Sequence, residues 1–277
     1  MTIYRDLKQK SPDWFQLRRG RVCSSDVHRI VDSEGVLRRG RSKSAELSEG
    51  VQTYIAQLVS ERVSGYVDDS SEYQSQAMGY GIDFEHAARL ALGIETNLDF
   101  APIGGILSSC GRWWASSDGV AMHGTGVFKV AEIKIPNPRT QVSYLLDERR
   151  LIEEYKPQVC MEILVAEAAG GCLFSYGAGI NADRANVLIE ISCDDPFIDN
   201  LRASLERLDQ LVAQAMAHIG ADAPLITPPP DTTDQAVRDY FGLDDPIEHI
   251  AADIDRSHEQ FHQGLAGVAQ AVDKIWG

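Results

Sequence analysis

The sequence predicts an α/β protein with a central mixed sheet flanked by helices and a helical extension at its C-terminal end. Three observations carry this. Apolar residues recur at helical spacing before residue 95 and again near 151–168 and 201–215, while strand-like runs fill 97–135 and 171–193. The segment His123-Gly124-Thr125-Gly126 separates two strand-like runs as a hairpin turn would. A Pro-rich stretch, Ala223-Pro224 and then Thr227-Pro228-Pro229-Pro230-Asp231, sets the last fifty residues apart.

In chain order, Ser11-Pro12 opens a short helix over 13–19, with proline at an early helical position. Ser24-Ser25-Asp26 is expected to cap a second helix through Val27, Ile30 and Val31. A polar, basic loop follows over 35–43. From Ala45, the positions Leu47, Val51, Ile55, Leu58, Val59 and Val63 trace an amphipathic helix ending at Gly65. Another helix is expected over 75–92, closed by Gly93. Strands are expected at 97–109, 112–122 and 127–135, with Pro136-Asn137-Pro138 breaking the third. A helix over 151–168 contains Gln158; strands at 171–179 and 185–193 and a helix through Leu201, Leu205, Leu208, Leu211, Val212 and Ala215 complete the core. After the linker, Ile247, Ile250, Ile254, Phe261, Leu265, Val268, Val272 and Ile275 form an apolar stripe that needs a surface to cover it.

With 277 residues, 44% hydrophobic and 24% charged, the composition is that of a globular protein with ample core. No run of about 18 apolar residues suits a membrane span, and the first residues lack a signal-peptide core. Five scattered cysteines without a Cys-x-x-Cys argue against a disulfide framework and against zinc or iron–sulfur ligation, and point to a reducing cytoplasm. The seven histidines show no metal spacing; His258 and His262 share a helix face without further ligands. The net charge of −15 is unevenly spread: residues 1–45 carry eleven Lys/Arg against five acids, whereas residues 183–277 carry six basic against eighteen acidic groups. A basic front and an acidic rear would admit a polyanion from one side.

The most informative stretch is 115–134. Here Asp118 precedes a Gly-rich turn and the strand Glu132-Ile133-Lys134, whose alternation puts Glu132 and Lys134 on one face. Two carboxylates and an ammonium brought together suit Mg²⁺, which takes few protein oxygens and completes its shell with water and phosphate. The chemistry suggested is metal-assisted hydrolysis of a phosphodiester.

Four blocks then carry a family resemblance. Trp14-Phe15-Gln16-Leu17-Arg18 followed by Ser24-Ser25-Asp26-Val27-His28, the helix Gly81-Ile82-Asp83-Phe84-Glu85-His86-Ala87-Ala88-Arg89, Ser116-Ser117-Asp118-Gly119 with Glu132-Ile133-Lys134, and Gln158-Val159 occur in the order and spacing of one family. The chain resembles the lambda exonuclease and YqaJ-type viral recombinase family, a branch of the PD-(D/E)xK nucleases, over residues 11 to about 180. Ser117 replaces the family's usual proline, and Cys23-Ser24 its usual Thr-Ala; neither is a ligand.

The resemblance implies a restriction-endonuclease-like core over 1–220, with 221–277 as linker and amphipathic extension. It implies that Asp118, Glu132 and the carbonyl of Ile133 hold Mg²⁺ (or Mn²⁺ in its place), with Glu85 completing the site and Lys134 orienting or activating water. Arg18, Ser25, Ser116 and Gln158 fall where the family binds a 5′-terminal phosphate, and Met78 where it places a strand-separating wedge. The implied activity is 5′-to-3′ digestion of one strand of linear duplex DNA to mononucleotides, leaving 3′ overhangs for phage-type recombination. A homotrimeric ring and a single-strand annealing partner follow from the same resemblance. Alternatives stay open on the residues alone. Glu85 and Arg89 are spaced as a helix-surface pair, a capping or solvent-facing Gln158 and a core Met78 are the bland readings, and Arg18 is preferred to Arg19 only by its register with Trp14. An endonuclease of the same core, and a non-catalytic DNA-end binder, are the rival functions.

Overall fold

The structure is a computed structural model that describes residues 1–41, 46–65, 76–182 and 184–225, with the side chains of 76–83 outside the description. The apolar stripe expected beyond 246 therefore lies outside the described residues.

The chain begins with strand β1 (Thr2–Tyr4) and helix α1 (Pro12–Arg18), whose Ser11 accepts the Trp14 N–H as N-cap. Strand β2 (Val22–Cys23) leads into a 3-10 helix, Ser24–Arg29, and then helices α2 (Glu49–Ser64) and α3 (Gln76–Thr96). Strands β3 (Gly105–Leu107), β4 (Trp113–Ala115), β5 (Gly119–His123) and β6 (Gly126–Lys134) follow. Helices α4 (Pro138–Leu146) and α5 (Arg149–Ala166), strands β7 (Gly170–Ser175) and β8 (Val187–Ser192), and helix α6 (Pro196–His218) complete the described chain.

The strands form two four-stranded sheets, both mixed. The first runs β1-β3-β4-β2, with β2 parallel to β4; the second runs β5-β6-β7-β8, with β6 parallel to β7 and the other pairs antiparallel. The parallel β6–β7 pair needs a long crossover, supplied by α4 and α5. Helix α5 packs against β3 and β4 of the first sheet, β6 and β7 of the second, and the 3-10 helix. Its unbroken buried run from Val159 to Ala166 reflects that central position. Close approach is possible because β7 offers Gly171, where a Cβ would lie 2.8 Å from Val159, 2.9 Å from Val130 and 3.0 Å from Ile163. On α6, Leu201, Leu205, Leu208 and Leu211 face α2 and α5 and are fully buried, worth roughly 1.5–3 kcal/mol each.

Several expectations are corrected. The run expected as one strand over 112–122 is two strands in two different sheets, because the chain leaves the first at Ala115 and joins the second at Gly119. The strand expected over 97–109 is confined to Gly105–Leu107. The segment after Cys23 is a 3-10 turn without a side-chain cap, since Ser24 is directed to Glu162 instead. Helix α3 passes through Gly93 and ends at Thr96, with Asn97 in the left-handed conformation. Pro138 begins helix α4, capped by Asn137 accepting the Thr140 N–H at 3.0 Å, where only a strand break was expected.

Candidate active site

The site is built where the chain changes sheets. Ser116 is held at that junction by two indoles, its Oγ accepting Trp14 Nε1 at 3.1 Å and Trp114 Nε1 at 2.7 Å. Two residues on, Asp118 reaches across to the neighbouring strand, its Oδ2 accepting the Ile133 N–H at 2.7 Å. On β6, between β5 and β7, Glu132 is buried and Lys134 partly so, and the lysine Nζ is ion-paired with Glu132 Oε1. The same ammonium stands 4.4 Å from the ring centroid of Tyr155 on α5, within range of a cation–π contact. From α3, Glu85 pairs with Arg89, and Arg89 Nε donates to the carbonyl of Asp118 at 3.0 Å. The helix pair that the spacing allowed thus exists and is tied to the site. Glu85, Asp118, Glu132, Ile133 and Lys134 line one cleft of about 990 Å³.

A further carboxylate, buried like Glu132, completes the constellation. Glu162, on α5, is wholly buried, and its Oε1 accepts from Gln158 Nε2 at 3.1 Å and Ser24 Oγ at 3.3 Å. Sequence reasoning did not single it out, although Gln158 and Glu162 are spaced i, i+4 on one helix face. Tyr155 was equally missed; an aromatic two turns before Glu162 carries no distinguishing signal.

Electrostatics follow from burial. Asp118 is pushed up to about 8, by desolvation first and by the charge of Glu132 second, with Lys134 and the Ile133 N–H opposing. Glu132 also rises to about 8, through desolvation and then the charge of Glu162. Glu162 rises to about 7 through desolvation and the charge of Asp118. Burial alone would lower Lys134, but the carboxylates of Glu132 and Asp118 outweigh it and hold the ammonium charged. Two buried carboxylates, Glu132 and Glu162, and the half-buried Asp118 thus share one ammonium.

Among the described residues no three of His, Cys, Asp and Glu converge as a ready-made ligand set. The smaller donor set of Asp118, Glu132 and the Ile133 carbonyl nevertheless fits a hard divalent cation that keeps water and takes phosphate oxygens. Glu132 Oε2 and Glu162 Oε2 are buried acceptors with no hydrogen-bond donor, and such acceptors are costly to leave uncompensated.

The residues expected to bind a terminal phosphate fall into two linked groups. Arg18 stacks 4.1 Å above the Trp14 ring, and its Nη2 donates to Ser25 Oγ at 3.3 Å. Trp14 connects this pair to Ser116, while Gln158 joins Ser24 through Glu162. None of Arg18, Ser25, Ser116 and Gln158 lines the cleft of Asp118 and Glu132. The backbone of Met78 lies in α3; its side chain is outside the described residues.

The fold is similar to that of solved exonuclease structures. The chain aligns with an alkaline exonuclease (LHK-Exo) from Laribacter hongkongensis at TM-score 0.60 and 21% identity, covering 76% of this chain and 96% of that one. The same exonuclease in complex with dAMP aligns at TM-score 0.61 and 21% identity, with the same coverage. A phage-related exonuclease from Haemophilus somnus 129PT aligns at TM-score 0.52 and 11% identity, covering 74% and 99%. The YqaJ-like viral recombinase domain matches residues 13–169, and the chain belongs to that family. A search of curated proteins found no match. No described helix is long and apolar enough to cross a membrane.

Proposed function

We propose that this protein is a Mg²⁺-dependent exonuclease that degrades one strand of linear double-stranded DNA from its 5′ end, releasing mononucleotides and leaving a 3′ single-stranded overhang. The observation that carries the reading is the convergence of Asp118, Glu132, Lys134 and Glu85 in one cleft of a chain belonging to a viral recombinase family. The dAMP bound by the Laribacter relative agrees with a mononucleotide product.

In this reading Asp118, Glu132 and the Ile133 carbonyl would hold the metal, and Glu85, on the same cleft, would complete the site. Mg²⁺, when bound, offsets charge on the scissile phosphate and acidifies a coordinated water. Asp118, on the wall of the cleft, has one oxygen fixed by the Ile133 N–H. Lys134, kept charged by Glu132, acts as a proton donor in hydrogen bonds: it orients the attacking water and steadies negative charge rather than removing the proton. Arg18, Ser25, Ser116 and Gln158 would recognise a 5′-terminal phosphate, whose extra charge favours a guanidinium with hydroxyl and amide donors. Residues 1–220 form the nuclease domain, and 221–277 a linker and amphipathic extension. A ring-shaped homotrimer in the cytoplasm, acting beside a single-strand annealing protein, completes the proposal.

The test compares linear duplex DNA carrying a 5′-phosphate or a 5′-hydroxyl with a closed circle, in Mg²⁺. Rapid loss of the 5′-phosphorylated strand, slow loss at the hydroxyl end and an intact circle are expected. Cutting of the circle would make the enzyme an endonuclease; no cutting of any substrate would leave only end binding.

A further inference from the structure

We infer that Arg5, Lys8 and Lys10 form a phosphate clamp on the rim of the cleft, gripping the backbone of the DNA strand that enters the carboxylate site. The inference rests on the nuclease reading and adds a binding element to it.

The segment between β1 and α1 forms one wall of the cleft, where Arg5, Leu7, Lys8, Gln9 and Lys10 stand on the same cavity as Glu85, Asp118, Glu132 and Lys134. All three cations are exposed, and none has an ion-pair partner among the described residues. Lys134, the fourth cation lining the cleft among the described residues, is committed to Glu132. On a chain of net charge −15, a polyanion approaching three acidic groups meets repulsion unless unpaired positive charge stands at the entrance.

The wall is held in place rather than free. Gln9 Nε2 donates to the Ile103 carbonyl at 3.0 Å, and the Gly104 N–H donates to the Tyr4 carbonyl at 3.0 Å. Leu7 lies so close to Gly104 that a Cβ there would stand 2.1 Å from its carbonyl oxygen. Lys10 adopts a left-handed backbone, φ 64°, before the chain turns into α1. That conformation is uncommon for a long side chain, and here it accompanies a turn closed by the Ser11 N–H on the Lys8 carbonyl at 3.2 Å. Lys8 and Lys10 are thus presented from a fixed loop, which limits the backbone freedom lost on gripping a phosphate.

The test is the salt dependence of binding to a fluorescent linear duplex, with Ca²⁺ replacing Mg²⁺ to suppress cutting. Each phosphate contact contributes about 0.9 to the slope of log K against log salt. The R5Q/K8Q/K10Q variant should lower that slope by about 2–3 and weaken binding at 0.1 M salt by on the order of tenfold or more. Each single variant should lower it by about 1. The preference for 5′-phosphate over 5′-hydroxyl ends should not change, which separates the clamp from the pocket proposed around Arg18. R202Q, on α6 away from the cleft, serves as charge control and should keep the wild-type slope. Melting temperatures close to wild type are expected, because the substituted side chains are exposed. An unchanged slope in a triple variant of an enzyme that still cuts linear DNA overturns the clamp and leaves the nuclease reading intact. A wild-type protein that neither binds nor cuts duplex DNA overturns both.

Discussion

Asp118 and Ile133 are joined across the sheet: the carboxylate at the head of β5 accepts the backbone N–H of β6 at 2.7 Å, between the side chains of Glu132 and Lys134. This bond fixes the two halves of the constellation in one register. Asp118→Asn keeps an oxygen able to accept that N–H but removes one of the proposed metal-holding charges. We expect the variant to fold with a melting temperature at least equal to that of the metal-free wild type at pH 9, because a desolvated charge beside Glu132 is gone. Cleavage should fall by at least about a thousandfold, on the scale of losing a metal-ion contribution. A variant retaining more than a tenth of wild-type cleavage would remove Asp118 from the site.

The pH dependence of the metal-free protein follows from the raised carboxylates. Asp118 and Glu132 titrate near 8 in the folded chain and near 4 when unfolded. Between those values the folded state holds more protons, so stability falls as pH rises from about 4 to about 8. Thermal melts in EDTA should therefore show a declining melting temperature across that window. Added Mg²⁺ should raise it most at the alkaline end, where the carboxylates are free to bind. A rising melting temperature from pH 5 to 8 in EDTA would contradict the buried-carboxylate account.

Because burial and mutual repulsion raise these carboxylates above their ordinary range, metal binding should release protons near neutral pH. Calorimetric titration in buffers of different ionisation enthalpy should give a buffer-dependent heat equivalent to about one proton or more per metal. Buffer-independent heats would mean that the carboxylates are already ionised in the free protein.

Much of this site was legible before the structure, because its residues sit on local patterns. A strand's alternation puts Glu132 and Lys134 on one face, and the turn at 124–125 pairs β5 with β6 antiparallel, with His123 opposite Gly126. What could not be read is whatever depends on contacts distant in sequence. The break at 116–118 looks like continuous strand until Trp14, about a hundred residues earlier, is seen holding Ser116. Glu162 lies in an apolar helical run, where a lone glutamate reads as a surface residue until α5 is found packed between two sheets. Strands β1 and β2 are too short to carry a period and exist through pairing with β3 and β4.

Glu162 links the two halves of the proposed site, since its Oε1 serves Gln158 and Ser24 while its charge raises Glu132. Glu162→Gln preserves an acceptor oxygen and removes the charge. With that repulsion gone, Glu132 should ionise at lower pH, and the acid limb of the cleavage profile should move to lower pH. Glu162→Ala instead orphans the Ser24 hydroxyl and the Gln158 amide in a buried setting, which costs about 1–3 kcal/mol per group. Melts should rank Ala below Gln. An unmoved acid limb in a folded Glu162→Gln protein would mean that Glu162 does not act on Glu132.

The packing that sets these distances is most exposed to test at Gly171. Its missing side chain lets Val159 and Ile163 of α5 rest on β7, with Val130 of β6 alongside. An alanine methyl would meet all three side chains at 3.0 Å or less, so α5 must shift outward or the side chains must leave their rotamers, at a cost of about 1–3 kcal/mol. Because Gln158 and Glu162 ride on that helix, Gly171→Ala should lower cleavage along with stability, although residue 171 does not line the cleft. Val159→Ala removes one of the opposing methyl pairs and should recover part of the melting temperature when combined with Gly171→Ala. Double-mutant melts giving purely additive losses would show that α5 does not rest on this glycine.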